Sequence, residues 1–171
     1  MIAEARNFAE KLLKGRYLNF TLNHTRDVVE LCRRFGRGLD MDVLLTAAWL
    51  HDIGRAFTDD DHHRVGAELA ACFLRILGAE DEFIERVRHC IEEHGTDGRP
   101  KTEEAKLLRE IDGVSVFRWD FVLLYLLYFR NRDKMRKILE KASKKVEDNR
   151  LREVLRKRYA ISRLLVPGVR L

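Results

Sequence analysis

Four histidines and two aspartates are the residues of this chain whose types and order could do chemistry: His24, His51, Asp52, His62, His94 and Asp112. Imidazole and carboxylate together suit Zn, Mn, Fe or Ni. The sharpest clue is AAWLHDIGRAF, residues 47–57. The run that it closes, Asp40 to Ile53, is apolar on nearly every side, so a carboxylate at position 52 should be buried. Unpaired burial costs about 1–3 kcal/mol for a polar group by mutational scales, and more for a charge. A cation beside Asp52 would remove that cost.

Helices must position these residues, because period-two alternation is absent and only two prolines, Pro100 and Pro167, interrupt the chain. The periodicity predicts an all-α fold with helices at about 2–14, 20–35, 40–53, 61–77, 81–94, 102–116, 119–130, 132–145 and 147–163. Asp40 and Thr102 stand where N-caps are needed. With a rotation of about 100° per residue, His24 falls on the stripe of Val28, Leu31 and Phe35. His94 continues the stripe of Ile84, Val87 and Ile91, whereas His89 points away from it. His62 and His63 are less clearly separated, and Asp112 lies at the inward edge of its helix. Within one helix His51 and Asp52 would diverge by about 100°, so they can only flank an ion to which other helices contribute. A single buried histidine is usually a hydrogen-bonded core residue. Four of them facing one interior with two aspartates point to a metal centre.

At 171 residues the chain is long enough for one sizeable core, and 46% hydrophobic with 36% charged residues is a globular balance. The start, MIAEARNFAEKLLKGR, lacks the apolar stretch of a signal peptide. The longest apolar run, FVLLYLLYF at 121–129, is too short to span a bilayer, so no membrane is expected as a partner. Cys32, Cys72 and Cys90 form no C-x-x-C pair and read as buried small hydrophobes in a reducing cytoplasm. Charge is uneven. Residues 130–171 hold 15 Lys/Arg against 5 Asp/Glu, so a net +10 lies on the tail while the remainder is acidic. With Met135, Ile138, Leu139, Leu151, Val154, Leu155 and Tyr159 at helical spacing, this tail reads as a solvated helix pair packed on the body. Nucleic acid is a possible but less favoured partner of that surface. The expected division is a metal-binding body over 1–117 and a basic helical extension over 118–171.

The ordered set H…HD…H…H…D, here His24, His51-Asp52, His62, His94 and Asp112, resembles the HD-domain superfamily of metal-dependent phosphohydrolases over residues 20–117. The contexts NHTRDVVELC, AAWLHDIGR, HHRVGAELA, CIEEHG and REIDGVSVF carry the likeness. The resemblance implies an HD-type helical bundle in which His24, His51, Asp52 and Asp112 hold a first divalent ion. It implies further that His62 and His94 complete a second site bridged by Asp52. It selects His62 over His63, by its position before the glycine of GAE, and gives Asp52 and Arg55 catalytic roles, Arg55 as a phosphate contact. The G-Y-P signature of relatives that hydrolyse cyclic dinucleotides is missing. The implied activity is cleavage of a phosphoester or phosphoanhydride of a small phosphorylated substrate, a nucleotide foremost, with one or two ions (Mn, Fe, Ni, Co, Zn or Mg). A di-iron oxygenase and a non-catalytic metal-binding sensor or nucleic-acid module are the rival readings. Glu92, Glu93, Arg99 and Lys101 are expected near the mouth of the site.

Overall fold

The most apolar helix of the body is also the most buried. A computed structural model describes all 171 residues. In it the Asp40 carboxylate accepts hydrogen bonds from the Asp42 and Val43 amides and so starts the helix Met41–Leu50. Every residue from Val43 to Leu50 is buried. Neighbours surround this central helix. In chain order the elements are α1 (Ile2–Leu13), α2 (Phe20–Phe35), α3 (Met41–Leu50), α4 (His62–Ile76), α5 (Asp81–Glu92), α6 (Glu103–Ser115), α7 (Trp119–Phe129), α8 (Arg132–Ser143) and α9 (Asn149–Leu165). Short 3-10 turns stand at Arg16–Asn19 and Ile53–Ala56. The α1, α2, α5 and α6 helices pack around α3, and α4 packs on α5 and on the second 3-10 turn.

The helix expected over 40–53 is shorter than its apolar pattern. It ends at Leu50, and Asp52 leaves helical geometry with φ −106° and ψ 8° before the 3-10 turn begins. Gly54 makes that turn fit. A Cβ there would sit 2.0 Å from the His62 carbonyl and 2.8 Å from the Gly66 amide, so only glycine lets the turn seat against the start of α4. Likewise α5 stops at Glu92, which leaves His94 in the loop beyond it.

The helices of residues 118–171 close the fold. α7 packs on α2, α8 on α6, and α9 on both α6 and α7. Ion pairs draw them in. Arg158 grips Asp27 of α2 through Nη1 and Nη2 at 2.5 and 2.8 Å, and Lys145 reaches Asp112. Asp27 is buried, also accepts from the Ser115 hydroxyl, and keeps its pKa below the ordinary carboxylate value: burial opposes this, and Arg158 outweighs it. The FVLLYLLYF helix is less covered than its composition suggests. Val122 and Tyr125 are buried, but Leu127 and Tyr128 stand open to solvent. Cys32 and Cys90 are buried as expected; Cys72 is exposed, because it falls off the Ala67–Ala70–Ala71–Leu74 stripe of α4. No helix is long and apolar enough to cross a membrane.

Candidate metal centre

The premature end of α3 changes what His51 and Asp52 can do. Out of the helix, the two side chains converge, with His51 Nε2 3.7 Å from Asp52 Oδ2. The 100° divergence that would have separated them applies only inside a continuous helix. Asp52 is buried, and its two oxygens look in different directions. Oδ2 faces His51 and His24 Nε2, at 3.7 and 3.9 Å. Oδ1 faces His62 Nε2 at 3.5 Å and His94 Nε2 at 3.8 Å. His24, from α2, lies 2.9 Å from Asp112 Oδ1 of α6 and 3.3 Å from His51 Nε2.

Two ligand groups result: His24, His51 and Asp112 on one side, and Asp52, His62 and His94 on the other. All six sequence-selected residues therefore meet in one place. His63 stays at the edge, its ring against Gly95, and His89 lies elsewhere, accepting the Lys101 amide at 3.0 Å.

Backbone carbonyls set the imidazole tautomers. Nδ1 of His51, His62 and His94 lies 2.8, 3.0 and 2.6 Å from the carbonyls of Ala48, Asp59 and Ile91. Each Nδ1 must carry the proton to make that bond, which leaves an Nε2 lone pair aimed inward. Burial lowers the pKa of His51 and His62 below the ordinary imidazole value and that of His94 well below it, so these rings are neutral near pH 7. Burial would raise the Asp52 pKa, but Arg55 and then the surrounding histidines hold it below the carboxylate range. At Asp112 burial is again overcome, chiefly by Lys145 and then His24. Imidazole lone pairs and ionised carboxylates facing one another at 3–4 Å are a donor set short of acceptors. It fits divalent metal.

Arg55 sits closer to the ligands than expected. Its Nε donates to Asp52 Oδ1 at 2.8 Å, and Nη1 lies 3.8 Å from Asp59. Four residues expected at the mouth, Glu92, Glu93, Arg99 and Lys101, are not among those that line the cavity. Glu92 pairs with Arg88, Glu93 accepts the Arg99 amide, and the Lys101 amide is spent on His89. Helical spacing could not follow Glu93, Arg99 and Lys101 past the end of α5. The cavity over the ligands, about 430 Å³, is instead bordered by residues of α7 and α8, among them Phe121, Tyr125, Lys134 and Lys141.

Lys145 is the functional residue that sequence reasoning missed. It is buried, and its Nζ donates to Asp112 Oδ2 at 2.5 Å and to the His94 carbonyl at 3.0 Å. The signal was present: a lysine three residues beyond Ala142, in register with the buried Met135–Leu139–Ala142 stripe.

Known proteins resemble this chain in part. A family model described as HD domain matches residues 21–116. Over 79 residues, 44% of this chain, the sequence is 37% identical to ribonuclease Y of Roseiflexus sp. (strain RS-1); that stretch spans only 13% of the relative. Two solved structures superpose with a TM-score of 0.66. A predicted HD superfamily hydrolase from an uncultured Thermotogales bacterium is 22% identical, covering 96% of this chain and 88% of that one. Bacillus subtilis YpgQ, solved in complex with ADP, is 14% identical, covering 99% and 100%. At these identities the two structures establish a common fold.

Proposed function

We propose, from the premise that the chain belongs to the HD-domain family of metal-dependent phosphohydrolases, that it hydrolyses a phosphoester or phosphoanhydride of a small molecule, foremost a nucleotide. His24, His51, Asp52 and Asp112 would hold one divalent ion; His62 and His94 would hold a second, shared through Asp52. The observation that carries this reading is the division of the Asp52 carboxylate, one oxygen toward each group of imidazoles. Bound divalent ions activate a water and polarise a phosphoryl oxygen.

The chain's own residues do the rest. Backbone carbonyls hold the imidazoles in the tautomer that presents Nε2. Lys145 holds Asp112 ionised. Arg55, fixed through Nε on Asp52 and with Nη1 toward Asp59, keeps Nη2 for the negative charge that grows on the transferred phosphoryl group. YpgQ was solved with ADP, which supports a nucleotide here; the name of ribonuclease Y keeps RNA as the second candidate.

The test is metal analysis of purified protein, then phosphate release from nucleotides and simple phosphoesters and strand cleavage of short RNA, with Mn, Fe, Ni, Co, Zn and Mg in turn. Metal-dependent hydrolysis of nucleotides is the expected result. Oxygen-dependent turnover by an iron pair, or metal binding without any hydrolysis, would overturn it.

A further inference from the structure

The cavity above the ligands has two unlike walls, and residues beyond position 118 build most of both. One wall is aromatic. Phe121, Tyr125 and Phe129 repeat every fourth residue along α7, so they share one face, and Phe20 of α2 joins them. The rings interlock: Tyr125 and Phe129 have centroids 4.6 Å apart, and Phe20 meets Phe121 edge-on at 5.3 Å. Phe121 lies 5.3 Å from the His24 ring, so the wall begins at the candidate ligands. A bare phosphate gains nothing from such a surface.

Two hydroxyls on the same side lack partners. Tyr125 is 5% exposed and Thr21 2% exposed, and neither the Tyr125 hydroxyl nor Thr21 Oγ1 makes a hydrogen bond. Both residues line the cavity. A buried polar group without a partner is costly, and a ligand with its own donors and acceptors would relieve that cost.

The other wall is cationic. Lys134 and Lys141 share one face of α8, and Lys145 follows below them. Lys145 is committed to Asp112, whereas Lys134 and Lys141 are exposed and carry no carboxylate partner. At 1.5 Å per residue, the two lie about 10 Å apart along the helix, farther than one phosphate can bridge. Lys134 Nζ also stands 5.7 Å from the Phe129 ring centroid, at the junction of the two walls.

We infer that α7 and α8 form a two-part recognition site for a nucleoside carrying a chain of phosphates. The base lies on Phe121, Tyr125 and Phe129 with its polar edge toward the Tyr125 and Thr21 hydroxyls. The phosphate chain runs along Lys134 and Lys141 toward the ligands. This rests on the phosphohydrolase reading above, and it makes the extension a source of specificity as well as of stability.

The probes are α,β-methylene-ADP and the base-free methylenediphosphonate, each titrated calorimetrically into Mn-loaded protein. Stacking of a base on an aromatic side chain is worth about 1–3 kcal/mol, and 1.4 kcal/mol is tenfold in affinity. The nucleotide analogue should therefore bind about tenfold more tightly than methylenediphosphonate. Phe121→Ala should erase that ratio. Tyr125→Phe, which keeps the ring and the packing, should lower it severalfold. Lys141→Ala should weaken both ligands alike. Equal binding of the two probes to the wild type, or a ratio untouched by both Phe121→Ala and Tyr125→Phe, would overturn the inference. So would a short single-stranded RNA that binds more than tenfold more tightly than the mononucleotide. Metal-dependent hydrolysis of p-nitrophenyl phosphate by the wild type separates the two claims. If it persists while the ratio is flat, only the recognition site falls; if no phosphate compound is hydrolysed, the underlying reading falls with it.

Discussion

Lys145 Nζ lies 2.5 Å from Asp112 Oδ2, and both side chains are about nine-tenths buried. The same ammonium also donates to the His94 carbonyl, so one residue of the extension touches both groups of candidate ligands. Lys145→Met should therefore destabilise the metal-free protein by about 3 kcal/mol, because it leaves a buried carboxylate without its cation. With Mn bound, the loss should be much smaller, since the ion takes over neutralisation of Asp112. Thermal unfolding in chelator and in Mn distinguishes the two. An equal loss in both conditions would make Lys145 a packing residue only.

Ion count follows from which way each imidazole faces. His62→Ala and His94→Ala should each lower metal content from about two ions per chain to about one. His89→Ala should leave it unchanged, because that ring accepts the Lys101 amide away from the ligands. Plasma mass spectrometry after saturation with Mn reads the number. A wild type holding one ion at saturation would leave only His24, His51, Asp52 and Asp112 as a site.

Acid should weaken the fold in two stages. Burial keeps the pKa values of His51, His62 and His94 below 6.5, so the unfolded chain takes up protons near pH 6 that the folded protein refuses. Stability therefore declines as pH falls below about 6.5. Asp52 and Asp112 are held below their ordinary value of 3.8, so their contribution is complete above about pH 4 and is lost as pH drops further. Both stages have the same sign. The melting temperature of metal-free protein should fall steadily from pH 7.5 to pH 4, and metal affinity with it, since protons compete for the Nε2 lone pairs. A melting temperature that rises between pH 7.5 and pH 5.5 would mean that the imidazoles are charged in the folded state.

Truncation after Phe117 should yield an aggregating protein. Ten residues of the buried cluster, from Val122 to Val169, would be removed, and Asp27 and Asp112 would lose Arg158 and Lys145. Loss of cooperative unfolding in calorimetry is the expected result. A soluble, cooperatively folding 1–117 fragment that retains metal would show that the extension is dispensable.

The sequence disclosed the helical fold because amphipathic stripes and caps are local: Asp40 and Thr102 cap the helices they precede. It disclosed the six candidate ligands through the resemblance and through inward-facing stripes. It missed what depends on where helices stop. The early end of α3 turns His51 and Asp52 from divergent to convergent, and no periodicity announces it, although Gly54 marks the place. It also missed pairings between distant segments. Lys145 with Asp112 and Arg158 with Asp27 lie 33 and 131 residues apart, and charge composition alone read these cations as part of a solvated surface.

The proposed role of Asp52, to hold the ions on which hydrolysis depends, is read by measuring bound Mn and the Mn-dependent hydrolysis of bis(p-nitrophenyl) phosphate together, in the wild type and in Asp52→Asn. The amide keeps the shape but not the charge. Asp52→Asn should retain its helical circular dichroism, lose most of its metal, and hydrolyse the ester at least 100-fold more slowly, about 2.7 kcal/mol at the barrier. A folded Asp52→Asn protein that binds Mn and turns over like the wild type would contradict it.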